Sequence, residues 1–460
     1  MEDILSVLNS KEKKMKFATQ TEYLIFEKSK LCPISIRISG YRHSSNLIMA
    51  AAIILSDVPI TLHNLPDLLD THLMIDILKY LGAECSYHSS TLTLDTKKIS
   101  SYEVPNYLSE QIHGSLYLIP ALLARFKKVI FGKSGGCQIG DKEKGFVRPI
   151  QHILDVMGKF GGKITCQNEV IKAEAEEIFS PNLIDIQEYS YHKEKVIGPL
   201  TSGATKTAIL MALAVKKGKT IILNPFLKSE AIDLLDFVKA NGYKVSYDDS
   251  RIEIEYFPSK NPVTYSIISD PSEIITYLAI AGYHKIILHL KNITLKKTWP
   301  ILKPELKILA KIGITCKIES DIVIVHFQQQ LQAVDIEITP TGVCTDHHPF
   351  LVLLMLKASA ISNLVEHVWH DRFNYVKEVN KYGVNLKQVE NRVTINPTPL
   401  SSTDDIINCP DLRAAAMLAI LALDAPGRSK LKNYHHLERG YVNFIHNLKK
   451  MGGSITNSSI

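Results

Sequence analysis

One pattern returns six times along the chain and limits what it can fold into. A helix-like run ends in a glycine and leads into short segments of alternating polarity. The copies are DILKYLGAECSYHSSTLTL around Gly82, VMGKFGGKITCQNEVIKAE around Gly161, FVKANGYKVSYDDSRIEIEYF around Gly242, LKILAKIGITCKIESDIVIVHF around Gly313, VNKYGVNLKQVENRVTIN around Gly383 and LKKMGGSITNSSI around Gly452. They recur at intervals of about 70 to 80 residues, longer than ordinary solenoid periods. Each copy reads as a helix with apolar residues at i, i+3 and i+4, a glycine supplying the left-handed C-cap, and two strands joined by a polar turn.

Upstream of the copies lie second helices, such as SNLIMAAAIIL, GSLYLIPALLARF, ATKTAILMALAV, FLVLLMLKASA and RAAAMLAILAL, with short strands such as PITLHNL and TIILNPF after them. These helices are apolar nearly all round, so they must be covered on every side, which helices enclosed by a ring of sheets would be. The unit is therefore βαβαββ. Six units in two groups of three predict an α/β protein of two similar domains, each of three repeats with buried helices, and a cleft between the domains. A length of 460 residues accommodates that arrangement.

Composition narrows the partners. Lys+Arg 53 against Asp+Glu 47 gives +6, too mild for a nucleic-acid protein without a basic cluster, and small anionic ligands suit that balance better. The seven cysteines (Cys32, Cys85, Cys137, Cys166, Cys316, Cys344 and Cys409) are scattered and never form a Cys-x-x-Cys pair, which points to a reducing compartment without structural zinc. The N-terminal MEDILSVLNSKEKKMK has no unbroken apolar core, and the longest apolar stretch, Phe350 to Leu356, is far below a membrane span. A cytoplasmic protein is expected, with no membrane and no nucleic-acid partner. His347-His348 and His435-His436 are neighbours whose side chains should point apart, so no metal is expected, and no phosphate-binding or dinucleotide glycine loop is present.

The repeat, together with GGCQIG, CTDHHPF, DRF, PDLRAA and ERGY, resembles the enolpyruvyl transferase superfamily (EPSP synthase-like). Within it the similarity is to the UDP-N-acetylglucosamine 1-carboxyvinyltransferase branch rather than the phosphoshikimate branch, from about Ile34 to the C-terminus. The resemblance implies two inside-out α/β barrel domains, one over 41–268 and carrying the Cys137 loop, the other from 1–40 plus 269–460. It implies transfer of an enolpyruvyl group from phosphoenolpyruvate to a hydroxyl of a nucleotide or nucleotide-sugar with release of phosphate. UDP-N-acetylglucosamine of peptidoglycan synthesis is the first acceptor expected. A paralogue using uridine monophosphate in nucleoside-antibiotic biosynthesis, or an inactive nucleotide-binding homologue, is the alternative. Phosphoenolpyruvate is a co-substrate, and no cofactor is implied.

That chemistry needs a proton for the methylene carbon, a base for the attacking hydroxyl, and cations for phosphate and carboxylate. By resemblance Cys137, in the loop KSGGCQIGDKEKG, is the acid, and its basic surroundings should lower the thiol pKa. Asp346, in GVCTDHHPF, is the base and touches the acceptor; standing before an apolar helix, it also reads as an N-cap. Arg42, Arg148, Arg372, Arg413 and Arg439 match phosphoenolpyruvate contacts, where planar guanidiniums grip anions bidentately.

Departures from the family fall on the acceptor side. Its catalytic Lys-Asn pair is Arg42-His43 here, and an arginine that grips the acceptor diphosphate is His113, a weaker and pH-dependent cation. The family's Lys-Val-Ser-Val-Gly-Ala-Thr becomes Pro199-Leu200-Thr201-Ser202-Gly203-Ala204-Thr205, and the Asp after its Arg-Pro-Val becomes Gln151, after Pro149. His43, His113, Pro149, Gln151, Thr201, Ser202 and Gly203 are thus the expected acceptor contacts. The pattern suggests a retained reaction with a rewritten acceptor pocket.

Overall fold

The six repeat glycines all take left-handed backbone, from φ +74° at Gly383 to +110° at Gly82, so each ends its helix and turns the chain into a strand. The computed structural model describes residues 23–55, 58–133, 135, 149–181, 183–191, 198, 200–259, 261–339, 341–369 and 372–458. Among them, the strands form six four-stranded sheets of one recurring order. In one, Glu103–Val104 runs parallel to Lys128–Phe131, which pairs antiparallel with Val170–Glu174, itself in a hairpin with Lys163–Gln167.

Three sheets borrow a strand from far along the chain. Val263–Ser266 pairs with Ile60–His63, and Ile34–Arg37 with Leu288–Lys291. Tyr23–Glu27 lies between Arg428–Lys432 and Ser454–Ser458. The sixth copy therefore departs from the expected hairpin: its single strand, Ser454–Ser458, finds its partner at the other end of the chain.

Six helices are largely buried: α1 (Arg42–Ile54), α2 (Leu118–Phe126), α3 (Leu200–Ala212), α4 (Pro271–His284), α5 (His348–Met355) and α6 (Leu412–Ala422). Every residue of α6 is buried; its apolar run Ala414–Ala422 demands this, and Arg413 is buried with it. The helix α4 was not singled out from the sequence, although Asp270 caps it through the Ser272 and Glu273 amides and Pro271 opens it. Its buried residues join one apolar core with residues 24–38 and the chain beyond 274, while a second core is drawn from 41–268.

The chain passes between the cores twice, and the two passages are joined. Tyr41 N–H donates to Ile268 O at 2.8 Å and Asp270 N–H to Ser39 O at 2.9 Å. Between them, a Cβ on Gly40 would fall 1.6 Å from the backbone oxygen of Asn64, an overlap that no rotamer relieves. Gly40→Ala should destabilise the protein by at least ~2 kcal/mol. A thermal unfolding curve shifted by less than a degree would show that the crossing tolerates a side chain.

Candidate active site

All six buried helices present their N-terminal ends to one cleft of about 300 Å³. Arg42, His43 and Asn46 come from α1, Tyr117 stands at the cap of α2, and Ser202, Gly203 and Lys206 lie in α3. Pro271 opens α4, His347 caps α5, and Asp411 and Arg413 begin α6. Helix N-termini carry partial positive charge and unpaired N–H groups, so the convergence suits an anion before any side chain is counted.

Asp346 projects into this cleft from the turn before α5. One carboxylate oxygen, Oδ1, accepts from Arg372 Nη2 and the other, Oδ2, from Arg413 Nη2 at 3.4 Å. Burial by itself would raise its pKa, but the two guanidiniums outweigh that and hold the carboxyl far below the usual carboxylate range. The N-cap reading fails. The cap residue of α5 is His347, without a side-chain cap bond, and both Asp346 oxygens are taken by arginines. The Arg413 guanidinium lies 5.3 Å from the centre of the Tyr441 ring, which fixes its plane.

Across the cleft Arg42 and Arg439 share one carboxylate that sequence reasoning missed. Asp70, at the start of helix Leu69–Leu81, accepts from Arg42 Nη1 and from Arg439 Nε, each at 3.1 Å. Arg42 also donates to the Arg439 carbonyl at 2.8 Å, and Arg439 to that of Gln111 at 3.2 Å. These bonds tie the two cores together at the cleft mouth. An acidic residue in a first helical turn is ordinarily an exposed complement to the helix dipole, so Asp70 gave no signal until its burial was visible.

On the other wall stand His43, His113, Pro149, Ser202 and Gly203. Arg42 Nη2 donates to His43 Nε2 at 3.2 Å, which requires a neutral imidazole; burial first, then the Arg42 charge, lower its pKa to about 3. His152 packs so closely on Gly203 that a Cβ there would lie 2.1 Å from its Nε2. Lys206 and Glu230 form a buried pair at 2.8 Å; burial opposes ionisation of Glu230, but the ammonium brings its pKa down to about 2. Lys228 donates to Gly342 O at 3.0 Å.

Two expected acceptor contacts lie off the wall. Gln151 is exposed and bonds along its own helix to Asp155 at 2.6 Å. Thr201 is buried, its hydroxyl donating to Gly198 O at 3.0 Å. Both are consumed by the helix turns that carry them. Cys137 and Arg148, like Pro199, lie outside the described residues. Among the described residues one cysteine lines the cleft, Cys344, and burial pushes its thiol up to about 12, which disfavours the thiolate.

Residues 28–448 match the EPSP synthase (3-phosphoshikimate 1-carboxyvinyltransferase) family. The chain belongs to this family. Its relatives include the UDP-N-acetylglucosamine 1-carboxyvinyltransferase of Prosthecochloris aestuarii, 30% identical over 429 residues that cover 92% of this chain and 94% of that protein. The enzyme of that name from Chlorobium luteolum is 32% identical over 428 residues, 91% and 94% of the two chains. Among solved structures, the enolpyruvyl transferase NikO from Streptomyces tendae superposes with a TM-score of 0.88 at 28% identity, covering 96% of this chain and 100% of that one. EPSP synthase from Acinetobacter baumannii shares the fold at a TM-score of 0.71 and 14% identity, again over 96% and 100%. Members of the EPSP synthase family are transferase enzymes of mixed α/β fold, and no helix among the described residues of this one is long and apolar enough to cross a membrane.

Proposed function

We propose that this EPSP synthase-family protein transfers the enolpyruvyl group of phosphoenolpyruvate to a hydroxyl of a nucleotide or nucleotide-sugar and releases phosphate, with UDP-N-acetylglucosamine the first acceptor. The observation that carries the reading is Asp346 held between Arg372 and Arg413 in a cleft that Arg42 and Arg439 also line. Phosphoenolpyruvate brings two anionic groups that compete for these guanidiniums. As they turn to the ligand, Asp346 loses the charges that make it a poor base and can take the proton of the acceptor hydroxyl. Cys137 delivers the proton to the methylene carbon as the acceptor oxygen bonds to the neighbouring carbon, and when the phosphate departs from the arginines the new methyl group gives up a proton, which restores the enol double bond on the transferred group.

The printed names of the relatives support the UDP-sugar. A second acceptor such as uridine monophosphate is favoured by the likeness to NikO, which spans all of that chain, and by His113, which stands in the cleft where the family's diphosphate-gripping arginine is expected and is a weaker cation for a diphosphate. The reading includes two inside-out barrels of three βαβαββ repeats each, divided at 41–268 and 1–40 plus 269–460, in a cytoplasmic enzyme without a cofactor. The two separate cores and the six like sheets support that division. The experiment is phosphate release from phosphoenolpyruvate with UDP-N-acetylglucosamine and uridine monophosphate side by side. Release with the UDP-sugar is expected, release only with the monophosphate selects the second reading, and release with neither defeats both acceptors.

A further inference from the structure

Asp346 sits in a turn whose other members are held by buried carboxylates. Glu305, from helix Lys303–Ile312, accepts the Cys344 backbone N–H at 2.8 Å on one side of Asp346. On the other side the same oxygen is 2.9 Å from His347 Nδ1. An ionised carboxylate only accepts, so Nδ1 carries the proton, and Nε2 faces Ser272 Oγ at 3.0 Å. Thr345 donates its hydroxyl to Glu366 at 2.7 Å. Glu305, His347 and Ser272 are each no more than 3% exposed.

A buried carboxylate is expensive for a fold, and an apolar side chain would fill the space more cheaply if packing were all that was required. Glu305 does not contact the Asp346 carboxylate, which faces the arginines. What it holds is the backbone before Asp346 and the side chain after it, and those two anchors determine where the carboxylate between them points. Ser272 belongs to the capped first turn of α4, so the chain of bonds ends on a rigid element.

We propose that Glu305 and His347 are positioning residues for Asp346, a carboxylate–imidazole pair that grips the turn on both sides of the base and sets the direction of its carboxylate. The proposal rests on the reading of Asp346 as the base. A displacement of about 1 Å at a reacting group lowers rates by up to roughly 100-fold. Glu305→Gln should therefore reduce kcat about 10- to 100-fold, with phosphoenolpyruvate affinity within about threefold of the parent.

Because the pair acts through Asp346, adding Glu305→Gln to Asp346→Asn should slow the protein no further, whereas general loosening of the fold would add to the defect. A crystal structure of Glu305→Gln should show the Asp346 carboxylate moved off Arg372 and Arg413 with the sheets intact; an unmoved carboxylate overturns the proposal whichever acceptor is used. Normal turnover in Glu305→Gln beside an inactive Asp346→Asn overturns the positioning role alone. Normal turnover in Asp346→Asn removes the base itself and the proposal with it. If Glu305→Gln does not fold, His347→Gln carries the same expectations.

Discussion

Asp346→Asn lowers turnover at least ~100-fold, the low end for loss of a general base, and leaves phosphoenolpyruvate bound at least as tightly as in the parent protein. The two halves of this expectation have different causes. Turnover falls because an amide cannot take the hydroxyl proton. Binding holds because Arg372 and Arg413, now spending their donors on Asp346, become free for the ligand. Both guanidiniums are buried, so their loss of a counter-charge should reduce the stability of the unliganded variant by about 1.5–3 kcal/mol. Saturating phosphoenolpyruvate should restore much of that loss, since its anions replace the missing carboxylate. Turnover and a thermal shift with and without the ligand separate these effects; a variant within a few-fold of the parent rate would remove Asp346 from the chemistry.

Arg413→Met weakens phosphoenolpyruvate binding by roughly 30- to 1000-fold, corresponding to about 2–4 kcal/mol for a buried charged contact left without its partner. Arg413 combines three aids to anion binding: a place at the N-terminus of α6, a plane fixed by Tyr441, and nearly complete burial. Arg413→Lys restores the charge but not the planar fork, so it should recover only part of the affinity. Calorimetric titration reads both variants. Affinity within threefold of the parent in Arg413→Met would place the ligand elsewhere in the cleft.

The sheets and helices were more legible than the cleft because the signals differ in range. A glycine after an amphipathic run and an alternating pair of strands are local, and all six repeat glycines stand in the left-handed region. The pairing of Ser454–Ser458 with Tyr23–Glu27 involves no local turn, so the sixth copy looked like a hairpin it does not form. Arg42, Arg372, Arg413 and Arg439 could be picked out because arginine within a recognisable motif carries its own chemistry. Asp70, Glu230 and Glu305 could not, because each becomes informative only when a distant cation or imidazole is folded against it. Gln151 and Thr201 show the converse: a place in a motif does not set orientation, and their side chains bond locally, to Asp155 and to the Gly198 carbonyl.

The placement of the first strand has a consequence for biosynthesis. Glu27 meets Ser454 across a separation of 427 residues, so the sheet that holds Tyr23–Glu27 cannot form until Ser454–Ser458 has left the ribosome. At about 5–20 residues per second, the strand waits on the order of tens of seconds with its edges unpaired. The core drawn from residues 41–268 has all its members out of the ribosome during that interval, whereas the strand Tyr23–Glu27 remains a candidate for chaperone binding until Ser454–Ser458 emerges.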